Sequence, residues 1–322
     1  MWVESSDSEP QPKEVSIAEL LQKIPERDVL VVNNTKVLKR RVFAGDVEIL
    51  FLSQRSDHDW EVLFPSKKFA VGSEILLPRG IAMTLLQKGR PQLVRTREIL
   101  DEDYFSEVAE LPLPPYIQKV RGERHAQAAD SDWYQTAWAK ASGSLASPTA
   151  SLHFNQRDLQ LLRERGVKIL ELTLHVGLGT FLPVTTEDLN AHTMHEEYVE
   201  IPQETWQAVS FAKKEGRQIW AMGTTVARAL ETAGLDLLPQ RHEDRSLVGF
   251  TRLLIQPGFR WSVVTRLLTN FHQPESTLLA LVASFSDLKK VKQCYAWAIE
   301  RKFRLFSYGD LTVWIKDVGD SQ

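Results

Sequence analysis

The chain has 322 residues, 43% of them hydrophobic and 25% charged, with a formal net charge of -3, the composition of an ordinary globular protein large enough for one domain or two. That balance argues against a protein that coats nucleic acid by charge alone. No apolar run reaches the length of a membrane span, and the acidic start MWVESSDSEP lacks the basic and apolar regions of a secretory signal, so the chain is expected in the cytoplasm.

Residues 1–14 are polar and proline-containing and are expected to form a disordered tail. Residues 16–24 carry Ile17, Leu20, Leu21 and Ile24 at helical spacing, with Ser16 as N-cap and Pro25 as stop. The β-branched run 28–32 reads as a buried strand. It ends in Asn33, Asn34 and Thr35, polar side chains at a strand's carboxyl end, where ligands sit in open α/β sheets.

From residue 41 to 99 the texture changes. Short alternating runs such as RRVFAG, VEILFL and WEVLF follow one another between turn signals, without a helical period. The expected fold class is therefore an α/β main domain with an inserted small all-β domain, antiparallel and barrel-like. Its boundaries are a tail over 1–14, an α/β catalytic domain over 15–42 and 112–322, and the β module over 43–111, closed by the proline-stiffened return segment ELPLPPYI.

Residues 131–141 look helical and set Trp133, Tyr134 and Trp138 at core spacing. A helix over 155–165, strands over 168–176 and 197–201, an amphipathic helix over 203–214 and an apolar strand over 217–222 follow. Gly223, Thr224 and Thr225 then lead directly into a helix over 226–233. This arrangement points backbone N–H groups and hydroxyls at a carboxylate or phosphate, with Arg228 one turn in to add positive charge. The full Gly-x-Gly-x-x-Gly and Walker patterns are absent. Residues 249–255 and 261–264 look like a strand pair, 267–271 like a strand ending in Asn270 and His272, 276–283 and 288–301 like helices. Residues 303–306 and 311–315 look like strands flanking Ser307, Tyr308 and Asp310. The single cysteine, Cys294, rules out an internal disulfide and reads as a packed thiol on a helix face.

The stretch LTLHVGLGTFLPV, residues 172–184, concentrates the chemistry. Gly177 and Gly179 leave no side chain in a ligand's way, His175 can exchange a proton near neutral pH, and Thr180 offers a hydroxyl. A buried strand histidine followed by an ordinary glycine turn is the competing reading of this stretch alone. Five neighbouring segments also end apolar runs in His, Asn, Thr, Ser or Asp beside Gly or Pro, as a cleft built from loop tips requires: GSLASPTASLHF, MHE, GTT, LTNFHQP and FSYGD.

Taken in order, ASPTASLHF, LTLHVGLGTFLPV, MHEEYVEI, AMGTTVARALET, QPGFRWSVVTRLLTNFHQPESTLL and FRLFSYGDLTVWI resemble the S-adenosylmethionine:tRNA ribosyltransferase-isomerases of queuosine biosynthesis, with VVNNTKVLKRRVFA and LPLPPYI matching that family's early motifs. The resemblance implies an enzyme that uses S-adenosylmethionine as a consumed ribosyl donor, with no other cofactor and no metal. The acceptor it implies is 7-aminomethyl-7-deazaguanine at the wobble position of tRNA with a GUN anticodon. The sulfonium acidifies the ribose C5′–H, loss of that proton expels adenine, the aminomethyl nitrogen is alkylated, methionine leaves, and the ribose becomes an epoxycyclopentanediol, giving epoxyqueuosine-tRNA.

On this resemblance His175 and His195 are candidates for proton transfer, with Glu171 and Glu196 to orient or replace them. Thr149, His153, Gly177, Gly179, Thr180, Gly223, Thr224 and Thr225 are candidates to line the S-adenosylmethionine pocket. Asn270, His272, Ser307, Tyr308 and Asp310 would complete it or hold the modified base, while Lys36, Lys39 and Arg41 would meet tRNA phosphates. A monomer with no membrane association is expected. The chain departs from the family pattern at Ser147 (commonly alanine), at Ser151 (commonly glycine) and at Leu311-Thr312-Val313, and a polar tail stands where relatives carry an Ile-Ala-Gln-x-Pro segment. These departures support a second reading, a weakened paralogue that binds tRNA or S-adenosylmethionine without completing the transfer.

Overall fold

A computed structural model describes residues 1–4, 10–114, 117–118, 121–127, 129–177, 179, 189 and 194–316. The chain forms two compact units, one of Met1–Lys36, Tyr134–Ala141 and Ser147–Gln322, the other of Val37–Trp133 and Ser142–Ala146. The first is α/β, the second an antiparallel, barrel-like β unit. The division falls at Lys36 and Trp133 rather than at the expected residues 42 and 112. Ion pairs accompany the wider unit: Arg41 reaches Glu48 and Glu110, and Arg124 reaches Glu48, so both flanks are tied to the strands between them.

The α/β unit is built on an eight-stranded sheet. Its spatial order is Trp2–Glu4, Leu311–Ile315, Arg266–Asn270, Ile219–Met222, Val29–Asn33, Lys168–Leu174, Glu197–Ile201 and Leu247–Thr251. The four central strands run parallel, and Val29–Asn33 is buried at all five positions, as a parallel strand covered on both faces requires. Leu311–Ile315, Glu197–Ile201 and Leu247–Thr251 pair antiparallel to their inner neighbours. Helices Ile17–Lys23 and Gln156–Glu164 begin in capping boxes, Ser16 with Glu19 and Asn155 with Asp158. Their Leu20, Leu21, Leu159 and Leu162 share one core with Leu30, Val32, Trp220, Met222 and Leu268. Among the described residues no helix is long and apolar enough to cross a membrane.

In the β unit, Arg41–Ala44, Val47–Gln54, Asp59–Leu63, Gln92–Thr96, Ala82–Gln87 and Glu74–Leu76 are neighbours in that order, every pair antiparallel. The sequence pattern missed the helix Glu102–Val108, which Asp101 caps. Its Tyr104 and Phe105 are buried in the strands' core, and Phe105 meets Phe51 and Trp60 edge-on at 5.2 and 5.4 Å.

Four further expectations change. Trp2–Glu4 is not tail but an edge strand parallel to Leu311–Ile315, because Trp2 and Val3 are apolar enough to be buried there. The helix expected over 131–141 is only Asp130–Trp133; beyond it the Trp138 indole donates to the Asn33 carbonyl at 3.1 Å, and the amides of Lys140 and Ala141 donate to the Asn34 carbonyl. Tyr134 and Trp138 are core as expected, whereas Trp133 is exposed. Residues 261–264 form no strand with 249–255, because Leu247–Thr251 pairs with Glu197–Ile201 and the buried Glu231 carboxylate takes the amides of Ser262, Val263 and Val264. Residues 303–306 are likewise not a strand: Phe306 has φ 70, and the loop closes through the Gly309 amide on the Phe306 carbonyl.

Candidate active site

The carboxyl ends of the four parallel strands carry the polar side chains. Asn33 joins two of them: its Oδ1 accepts from the amides of Thr35 and Leu174, and its Nδ2 donates to the Leu174 carbonyl at 2.9 Å and reaches Thr225 Oγ1 at 3.4 Å. A buried amide with both ends engaged fixes the backbone on either side of it. Thr35 is thereby held so that its Oγ1 lies 2.7 Å from His175 Nδ1. Burial is the main cause that holds His175 below the usual histidine range, with Glu200 acting weakly in the opposite sense, so the ring is neutral near pH 7. Its Nε2 has no hydrogen-bond partner among the described residues.

Asn270 organises the second cluster. Its Oδ1 accepts from Thr149 Oγ1 at 3.1 Å, and its Nδ2 donates to His153 Nε2 at 3.2 Å and to the Phe306 carbonyl at 3.2 Å. Burial likewise lowers His153, against the pull of Asp310. Asp310 closes the loop by accepting from the Arg304 amide at 2.7 Å and its guanidinium at 3.0 Å; burial works against its charge, but these bonds hold its carboxyl below the usual range. The loop demands glycine at 309, where a Cβ would lie 2.3 Å from the Arg304 carbonyl oxygen.

Gly223 lies between the clusters, with φ +97 and the site of an absent Cβ 3.8 Å from Ala150. It leads into helix Thr224–Gly234, whose first turn has no side-chain cap, so its N–H groups are left for another acceptor. Arg228 does not add charge there as expected. It is buried in an ion pair with Glu197 and donates to the Leu253 carbonyl at 3.0 Å.

The remaining expected residues divide. His195 is exposed, with its ring 3.5 Å from where a Cβ on Gly179 would stand, and it shares no hydrogen bond with His175. Gly177 has ordinary room for a Cβ, 3.5 Å from the Glu196 carbonyl, and its amide donates to Glu197 Oε1 at 3.3 Å. Thr180 lies outside the described residues. Glu171 is engaged by Lys140 at 2.9 Å and Asn34 at 3.2 Å, and Glu196 by Arg252 at 2.8 Å, so neither carboxylate is free to orient His175. His272 bonds Thr269 at 2.8 Å and is pushed down to about 4 by burial, a structural histidine rather than a proton carrier. Ser307 and Tyr308 sit on the Asn270 loop, Tyr308 beside Tyr134.

Lys36 and Lys39 are exposed, as a phosphate contact requires. Arg41 is not: it is 1% exposed, 2.8 Å from Glu48 and stacked over Phe43, so its charge is neutralised inside the β unit and it cannot meet a phosphate. Ser151 is fully buried, and its hydroxyl has no partner among the described residues. Cys294 is buried and pushed up to about 11, a packed thiol. Asn33 and Thr35 stand at a strand end in the sequence, but their role is not visible there, because the contact between Thr35 and His175 spans 140 residues.

The profile of one family, described as "Queuosine biosynthesis protein", matches residues 1–314. A relative from Staphylococcus haemolyticus named S-adenosylmethionine:tRNA ribosyltransferase-isomerase is 41% identical over 295 residues, covering 88% of this chain and 83% of that one. Relatives of the same name from a Sulfurihydrogenibium species and from Carboxydothermus hydrogenoformans are each 39% identical over 293 residues, with the same 88% and 83% coverage. A crystal structure of an S-adenosylmethionine tRNA ribosyltransferase from Thermotoga maritima is 27% identical, with a TM-score of 0.48 over 92% of this chain and 85% of that one.

Proposed function

The chain belongs to the queuosine biosynthesis protein family, and we propose that it catalyses the reaction for which its relatives are named, transferring the ribosyl group of S-adenosylmethionine to tRNA and isomerising it. S-adenosylmethionine is then a consumed co-substrate. The acceptor is 7-aminomethyl-7-deazaguanine at the wobble position of tRNA with a GUN anticodon, and the products are epoxyqueuosine-tRNA, adenine and methionine. A tRNA substrate supports a cytoplasmic enzyme, working as a monomer.

The contact between Thr35 and His175 carries the mechanistic reading. With Nδ1–H donating to Thr35 Oγ1, the neutral ring presents the Nε2 lone pair, which takes the C5′ proton that the sulfonium has acidified. The electron pair left at C5′ forms the C4′–C5′ double bond as the C4′–O4′ bond breaks, O4′ becomes a carbonyl at C1′ as the bond to adenine breaks, and His195 is the candidate to return a proton to the departing base. The uncapped first turn at Thr224 and Thr225 suits the carboxylate of the methionyl group. Thr149, His153 and Asn270 form an adjoining polar cluster, the candidate site for a purine-like base. Lys36 and Lys39 remain candidates for tRNA phosphates. Nothing among the three named relatives supports a weakened paralogue.

The test is adenine release from S-adenosylmethionine with and without tRNA carrying the aminomethyl base. Adenine formed only with that tRNA, together with a mass gain on the wobble nucleotide, is the expected result. Folded protein that binds both substrates and releases no adenine would overturn it; release of S-adenosylhomocysteine would make it a methyltransferase.

A further inference from the structure

Three aromatic rings lie in a row across neighbouring strands of the α/β unit. His175, just past Lys168–Leu174, stacks on Tyr198 of Glu197–Ile201, with centroids 5.3 Å apart and planes at 19°. Tyr198 stands in register with Phe250 of the edge strand Leu247–Thr251, with centroids 5.9 Å apart and planes at 75°. Strand alternation explains why the row faces one way. Glu197 and Thr251, one position from Tyr198 and Phe250, reach Arg228 and Thr232 on helix Thr224–Gly234, so Tyr198 and Phe250 project from the opposite face.

Exposure rises outward along the row: Tyr198 is half-buried and Phe250 is 61% exposed. A single exposed phenyl group is ordinary. This one ends a continuous line of rings whose inner member is the histidine of the candidate site. The carboxylate two residues from Tyr198, Glu200, accepts the Tyr198 hydroxyl at 2.8 Å and pairs with Arg241 at 2.7 Å, a guanidinium that it shares with Asp244.

We propose that Tyr198 and Phe250 form a stacking platform for the unpaired RNA bases beside the reacting nucleotide. The proposal rests on the reading above that tRNA is the substrate. Every base has a π face, and aromatic residues on a sheet surface capture single-stranded bases through those faces with little demand on sequence. A paired stem hides the same faces between its own base pairs, so the occupant is loop RNA. The row thus extends the site from the reacting base to its neighbours, with the inner ring kept for chemistry and the outer two for position.

Fluorescence anisotropy of a labelled anticodon stem–loop tests this. Phe250→Ala is expected to weaken binding roughly 5- to 150-fold, the range for loss of one base stack, while Phe250→Tyr restores it. An RNA made abasic beside the reacting nucleotide should bind wild-type protein about as weakly, and combining that RNA with Phe250→Ala should cost little more. Equal affinity of wild type and Phe250→Ala for the intact loop overturns the platform, as does an equal loss on a fully duplex RNA. Wild-type protein that binds no stem–loop at all overturns the tRNA reading as well, which separates the two failures.

Discussion

The two ends of the parallel strands hold polar groups of the same kinds, yet they differ in what those groups have left over. At the amino end Asp28 accepts from the Trp220 indole at 2.8 Å and the Gln218 amide at 3.3 Å. Glu231, fully buried, accepts from three consecutive amides and the Ser262 hydroxyl at 2.8 to 2.9 Å. Burial raises Asp28 above the usual aspartate range, partly offset by those bonds. At the carboxyl end Asn33 and Asn270 are as well satisfied, but each holds a group with capacity to spare: the Nε2 of His175, the first-turn amides at Thr224 and Thr225, and the edge of His153. Buried polarity alone therefore does not locate function. The groups proposed to meet substrate are those that are held rigidly and have capacity left over.

Breaking the closed end should cost stability. Glu231→Ala leaves three amides and a hydroxyl without their acceptor in a buried setting, and the unfolding free energy should fall by about 3 kcal/mol or more, read from the denaturant midpoint. A loss under about 0.5 kcal/mol would show that water replaces the carboxylate and that this end is not closed. His272 sharpens the comparison with a smaller effect. Its folded value of about 4 lies below the ordinary 6.5, so between those pH values the unfolded chain binds a proton that the folded chain does not. Its contribution is complete above pH 6.5 and is lost as the pH falls toward 4. His153 and His175 are displaced in the same direction, so His272→Gln should reduce the acid slope of the melting temperature without abolishing it. An unchanged slope would mean that this ring is not held neutral.

Local chemistry was legible in the sequence. Ser16, the glycine before Thr224, and the polar run at Asn33 each announce a cap, a turn or a strand end, because the interaction closes within a few residues. Partners across long separations were not. Arg41 looks like a surface cation until Glu48 and Glu110 are brought to it, and Glu171 looks available until Lys140 arrives. The edge strand Leu247–Thr251 could not be paired correctly, because its best local partner, residues 261–264, is claimed by Glu231. Trp2–Glu4 was obscured by the polar composition that follows it. For the site, the residue types came from the sequence and the geometry came from Asn33 and Asn270, whose hydrogen bonds span more than 100 residues.

The assignment of His175 as the base rests on an Nδ1 fixed by Thr35 and an Nε2 with no partner among the described residues. It is tested most directly by adenine release from His175→Gln, measured alongside binding of S-adenosylmethionine and tRNA. The expected rate is lower by about 10²- to 10⁴-fold, with both substrates still bound. Turnover near the wild-type rate would contradict it and assign the proton transfer to another group.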